Sequence, residues 1–176
     1  MPADLAVNDR EELIYLLTEA AEFEHTVMCT YLYAQWSLKR DSSEGISAGE
    51  LAAIERWRGT LRGVAMEEML HLALVNNLLA AVGAAPHFWR PDFPVARGYF
   101  PADVDFHLAP FNEQSICHFV YLERPEGIDI EDGLGFVHES RYQRVVCSDL
   151  LTPTPRDYRS QGHLYHGIAQ ALGRLA

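Results

Sequence analysis

The chain has 176 residues, 48% hydrophobic and 22% charged, the size and balance of one folded domain and not of a disordered tail. Its 14 lysines and arginines face 25 aspartates and glutamates, and the formal net charge of -11 disfavours nucleic acid and anionic membranes as partners. No apolar run reaches the roughly 20 residues needed to cross a bilayer, the first residues lack a signal peptide's basic-then-apolar profile, and Cys29, Cys117 and Cys147 are too few and scattered for a disulfide framework. These features predict a cytoplasmic protein, a single domain over residues 1–176, with its cysteines packed as small buried apolar groups.

Asn8 with Glu11 reads as the reciprocal cap of a first helix. That helix runs to about Lys39 without proline or glycine. Asp41 to Gly45 is a turn by composition. Ser47 with Glu50 is a second capping box, opening a helix that runs to Val82 before Gly83. Two long helices joined by a short loop predict an antiparallel hairpin. Between Pro86 and Pro110 lie five of the nine prolines, interleaved with Phe88, Trp89, Phe93, Tyr99, Phe100 and Phe106. Proline at that density forbids a helix interior, and the aromatics argue against a solvated linker. The segment is an irregular crossover wrapped on the helices, with its aromatics at the mouth of a pocket. A shorter helix follows from about Asn112 to Arg124. Ile128 to Pro155 is ambiguous, with Phe136 to Ser148 either strand or loop. A last helix starts at Thr154 or Ser160 and runs to about Leu175.

The informative pattern lies on the two long helices. Alternating steps of four and three pick out Leu13, Leu17, Ala20, Glu24, Val27, Tyr31, Ala34 and Leu38 on the first. On the second they pick out Ile54, Trp57, Leu61, Val64, Glu68, His71, Val75, Leu78 and Val82. That repeat is the packing seam of a helical bundle, and only Glu24, Glu68 and His71 break its apolar character. Antiparallel pairing sets Glu24 across from Glu68 and His71. Two facing buried carboxylates are costly, and a divalent cation relieves both their desolvation and their repulsion. Carboxylate plus imidazole suits iron, manganese or zinc. The alternatives are an ion pair of Glu24 with Arg58 or Arg62, and a satisfied core histidine at His71. Glu67, Glu19 and Glu22 fall on the outer face, and His25 points off the seam. Glu123 shares a stripe with Ile116, Phe119 and Val120 near the end of the third helix, where the helix dipole disfavours an anion unless a cation lies nearby. His118 is core or supports the site from behind. His87, His107 and His138 lie in loops. Tyr31 and Tyr165 either orient a ligand or line a substrate cavity, with plain packing as the alternative.

The run from Glu22 to Ala34 (EFEHTVMCTYLYA) and that from Glu67 to Leu79 (EEMLHLALVNNLL) carry a resemblance, joined by Gly83 and Pro86. Phe119 to Pro125 (FVYLERP) and Gly162 to Ile168 (GHLYHGI) follow in order. Together they resemble carboxylate-bridged di-metal bundles of ferritin-like type. More narrowly, nearly the whole chain is similar to the ferritin-like family that includes the iminophenyl-pyruvate dimer synthase domains of bisindole pigment biosynthesis. The resemblance implies a mainly α, ferritin-like bundle with Glu24, Glu68, His71 and Glu123 as metal ligands. That family usually has a glutamate after the glycine of the last motif. This chain has His163 there in place of a carboxylate, and His166 one turn on could form a His-x-x-His pair with it. The swap removes negative charge and a bridging group, leaving one metal, two unequal metals or a zinc site as alternatives. The implied function is a metal-dependent oxidoreductase holding one or two iron ions and acting on a small organic molecule. Manganese or zinc are the other candidate metals, and assembly as a homo-oligomer is left open. The rival readings are an iron-binding ferroxidase without organic substrate, and a non-enzymatic bundle with a buried polar network.

Overall fold

Four α-helices and no strand make up the regular structure among the described residues, which in this computed structural model are 5–96, 98–101, 104–125, 128–136 and 156–175. The expected mainly α architecture is therefore what the chain adopts. Helix α1 spans Arg10–Ser37. Its cap sits one residue later than the sequence pattern suggests: Asp9 accepts from the Glu12 N–H at 2.8 Å, and Glu12 returns a carboxylate oxygen to the Asn8 N–H at 2.7 Å. Helix α2 spans Ala48–Ala81 behind the expected Ser47–Glu50 box and stops before Gly83, whose φ of 80° is a backbone state glycine adopts without strain. Helix α3 is Glu113–Leu122 and α4 is Gln161–Leu175, the latter starting where Ser160 Oγ accepts from the His163 N–H. Thr154, His138, Cys147 and the part of the ambiguous segment beyond Phe136 lie outside the described residues. Among the cysteines, Cys29 is half-buried and Cys117 is exposed, so Cys117 departs from the expected buried packing. No helix among the described residues is long and apolar enough to cross a membrane.

Helix α1 is the central element, and both α2 and α4 pack on it. Every residue of its predicted seam is buried, Leu13 through Leu38. One apolar cluster joins its first half (Leu13, Leu17, Ala20) to Leu72, Val75 and Leu79 of α2 and Leu164 and Ile168 of α4. A second joins its other half (Phe23, Val27, Tyr31) to Leu61 and Ala65 of α2 and to Phe119 of α3. Glu24 and Glu68 lie in sequence where one cluster gives way to the other. The buried face of α2 is rotated from the prediction. Leu61, Glu68 and Val75 are buried as expected, but the intervening positions are Ala65, Leu72 and Leu79, in place of Val64, His71 and Leu78. Trp57 is exposed, stacked on Phe111 at 5.5 Å.

The crossover packs as core. Phe100 and Phe106 meet Phe23 of α1 edge-on at 5.3 and 5.4 Å, and the Val95 N–H donates to the Phe106 carbonyl at 2.8 Å. This placement corrects the assignment of Glu22 to the outer face. Glu22 is buried, taking His87 Nε2 at 2.8 Å on one oxygen and the Tyr99 hydroxyl at 2.6 Å on the other. Glu19 is likewise buried, accepting from the Tyr158 hydroxyl at 3.0 Å. Burying either carboxylate is tolerable because each has hydrogen-bond donors supplied by distant chain segments. His25 contacts the carbonyl of Phe88 through Nδ1 at 2.9 Å.

Residues 128–136 dock on α3 through a buried histidine. His118 Nδ1 sits 2.8 Å from Asp132 Oδ1, and the Phe136 ring stacks on His118 at 3.9 Å and on His107 at 4.1 Å. Gly133 makes this approach possible, since a Cβ there would stand 2.1 Å from the Gln114 carbonyl oxygen. Backbone cannot yield as a side chain does. Gly133→Ala is therefore expected to cost about 1–3 kcal/mol by overpacking, read as a lower midpoint in urea unfolding. Gly173→Ala on α4, where a Cβ meets nothing within 4 Å, is the control and is expected to be neutral or slightly stabilising.

Candidate metal centre

Glu24 is supplied by the middle of α1, and Glu68 and His71 by one turn of α2. Three residues apart on a helix, Glu68 and His71 share a face, and the antiparallel packing of α1 on α2 brings Glu24 against them. One ligand atom from each of the three lies within 4.8 Å of the others. His71 Nδ1 is 3.3 Å from Glu68 Oε2 and 3.4 Å from Glu24 Oε2. Glu24 is fully buried and Glu68 nearly so, whereas the His71 side chain is 46% exposed.

Each of the three groups strongly affects the protonation of the others. Burial pushes Glu24 upward, but hydrogen bonds with His71, Glu68 and Tyr165 and the His71 charge outweigh it and leave its carboxyl below the ordinary range. Glu68 goes the other way, driven up to about 9 by burial, by its hydrogen bond with Glu24 and by the charges of Glu24 and Glu123. His71 is also raised to about 9, chiefly by its hydrogen bond to Glu24 and by the charges of Glu24 and Glu68, against a lowering from burial. The two carboxyl groups thus stay together because Glu68 and His71 retain their protons beside an ionised Glu24. Glu24 Oε2 is buried with no well-aligned donor, its contact with His71 Nδ1 being long at 3.4 Å. A poorly satisfied anionic oxygen beside a carboxylate and an imidazole nitrogen is the arrangement a divalent cation satisfies, so the residues present fit a metal ion.

A pH dependence follows. Glu68 and His71 hold their protons more tightly folded than unfolded, with ordinary values of 4.5 and 6.5 against about 9 in the fold. Their contribution to stability is present at low pH and is lost as pH rises through the folded values. The melting temperature of the metal-free chain is expected to fall between about pH 6 and pH 9, and Glu68→Gln should flatten that slope. Metal binding displaces the same protons, so affinity for Mn(II) is expected to rise over the same window.

Around the triad, Glu24 Oε1 accepts from Gln161 Nε2 at 3.1 Å and from the Tyr165 hydroxyl, both on α4. The Tyr31 hydroxyl donates to Glu123 Oε1 at 2.7 Å, and Glu123, which caps α3, is near enough for its charge to raise Glu68. Burial and these carboxylates push both phenols up. Glu123 is thus beside the triad, not within it. His163 and His166 are elsewhere. His163 is buried and its Nδ1 accepts from the Arg159 N–H at 3.2 Å, while His166 is exposed and contacts Gln170. Gln161 had no place in the sequence reading, although its spacing of four from Tyr165 puts both on one face of a helix.

Tyr31 and Glu123 also line a cavity of about 680 Å³, walled by apolar side chains including Trp57, Leu61, Val64, Phe111 and Phe119. Its walls come from α1, α2, α3 and from Pro125, Ile128 and Ile130, and the crossover aromatics expected at its mouth do not line it.

The Ferritin-like family model matches residues 17–176. The chain belongs to the Ferritin-like family. It is 31% identical over 189 residues to dichlorochromopyrrolate synthase of Lentzea aerocolonigenes, an alignment covering 96% of this chain and 17% of the relative. It is 33% identical over 139 residues to 2-imino-3-(indol-3-yl)propanoate dimerase of Chromobacterium violaceum, covering 69% of this chain and 14% of the relative. The ferritin-like chain thus spans about a sixth of the length of these curated relatives. No solved structure gives a significant match.

Proposed function

We propose that this ferritin-like chain is a metal-dependent oxidoreductase that uses iron and acts on a small organic molecule. The observation that carries the reading is the Glu24–Glu68–His71 cluster, with its two carboxyl groups buried, near an apolar cavity that Tyr31 and Glu123 line. Relatives named as a synthase and a dimerase of organic compounds support it. The three residues would hold the ion, which when bound supplies one-electron chemistry with dioxygen. Manganese fits the same donors, and zinc would fit them without redox chemistry.

The chain's own groups do the rest. The cavity's apolar walls remove water from around an organic substrate and protect reactive species. The hydrogen bond from Tyr31 keeps the Glu123 carboxylate fixed in the cavity lining, near enough to Glu68 for its charge to act there. Glu68, with its raised proton affinity, gives up its proton when a cation takes its place. An iron-oxidising protein without an organic substrate has no use for a cavity of about 680 Å³.

Metal analysis of the chain purified without chelators, followed by anaerobic Fe(II) reconstitution and oxygen-uptake measurements, tests the reading. Retained iron, with oxygen uptake that continues beyond one oxidation of the bound ion when an aromatic imine or amine is supplied, is the expected result. Uptake that ends with the iron oxidised, whatever organic compound is added, would favour a ferroxidase. Failure to retain any metal would overturn the proposal.

A further inference from the structure

We infer that the centre holds one divalent cation per chain, with Glu24 binding through Oε2 alone because Gln161 and Tyr165 hold its other oxygen. This inference rests on the metal-dependent reading of the same site. An ionised carboxylate is an acceptor only, with about two lone-pair positions on each oxygen. On Glu24 Oε1 both are taken, by Gln161 Nε2 at 3.1 Å and by the Tyr165 hydroxyl. Oε2 takes neither of these donors and has no well-aligned one of its own; it lies 3.4 Å from His71 Nδ1, on the side of the other two candidate ligands. The carboxylate is therefore divided between one oxygen committed to α4 and one open to a cation.

Two-metal centres place their ions about 3.5–4 Å apart, and a carboxylate that bridges such a pair uses both oxygens. For Glu24 to bridge, or to chelate one ion, at least one of the two hydrogen bonds to Oε1 would have to break at a side chain closed to water. The di-metal version of this bundle takes a Glu-x-x-His pair from each of two helices. Glu68 and His71 form one such pair. Where α4 meets Glu24, it brings an amide and a phenol, both donating, and donors directed at Glu24 cannot also ligate a cation through those hydrogens. Gln161 and Tyr165 are thus positioning residues that set the denticity of Glu24.

The test titrates the whole chain, stripped of metal by chelation, with Mn(II) alone, counting bound ions by loss of the free-ion paramagnetic resonance signal. One magnetically isolated ion per chain is expected. Two ions per chain with an exchange-coupled spectrum would overturn the single-ion inference and leave the metal-dependent reading standing. No binding of Mn(II) or Fe(II) would overturn both. The double variant Gln161→Leu, Tyr165→Phe, or Tyr165→Phe by itself if the double variant does not fold, is expected to weaken Mn(II) binding roughly 10–100-fold. Native circular dichroism and unchanged affinity in that variant would overturn the positioning role.

Discussion

Replacing Glu68 by leucine is expected to abolish metal retention while making the metal-free chain more stable, two effects of opposite sign from one substitution. Glu68 would supply one of the three donor atoms, and it is buried. Loss of a ligand should weaken Mn(II) binding by more than the roughly 10–100-fold that loss of a supporting hydrogen bond costs. The metal-free chain, however, carries Glu68 only by holding its proton up to about pH 9 against burial and two neighbouring carboxylates. Filling that position with a hydrocarbon of similar size removes the penalty, and comparable replacements of buried charged groups stabilise by about 1–4 kcal/mol. The gain should be larger at pH 9 than at pH 6, since the wild-type chain must ionise Glu68 over that range. Thermal unfolding of both chains at the two pH values, with and without Mn(II), measures all of this. A leucine variant that is less stable than the metal-free wild type at pH 9 would contradict the account.

Phe23→Ala is expected to be the most destabilising single truncation on α1. Its ring is buried and meets Phe100 and Phe106 edge-on, and it is the aromatic through which the crossover is pinned to the helix. Truncating a buried phenylalanine costs about 3–5 kcal/mol, and edge-to-face pairs add to the loss. For a chain of this length that lowers the melting temperature by roughly 10 °C or more. The effect should extend to Glu22. Once the crossover loosens, His87 and Tyr99 no longer hold that carboxylate, so the variant should show faster amide exchange at both ends of the crossover. Phe88→Ala, at an exposed position of the same segment, is the comparison and should change the melting temperature little.

The first helix was legible in the sequence because it is covered on nearly every side, so its apolar period and its burial coincide. Helix α2 was legible by half. With α1 as its main neighbour, it has fewer constraints on which flank turns inward, and the period alone is compatible with either Val64 and His71 or Ala65 and Leu72 as the second row. Glu22 illustrates what local pattern cannot hold: its partners lie 65 and 77 residues away, and nothing near it announces them. Helix α4 shows the same limit from another side. Residues two apart differ by about 200° around a helix. Burial of Leu164, Ile168 and Ala171 sets a rotation in which Gln161 and Tyr165 reach Glu24, and His163, two residues from each, faces away from their side. Matching a motif by position carried the histidines to the site. The rotation of the helix brought the residues on either side of His163 instead.

The half-exposed imidazole of His71 would make the proposed centre a labile one. Two of the candidate donors are locked in the core, but the third stands at the surface, where side chains change rotamer in picoseconds to nanoseconds. An ion held there could be handed in or taken out by the swing of one ring, with the helices left intact. Metal content would then follow the supply of free ion around the protein, without unfolding of the chain.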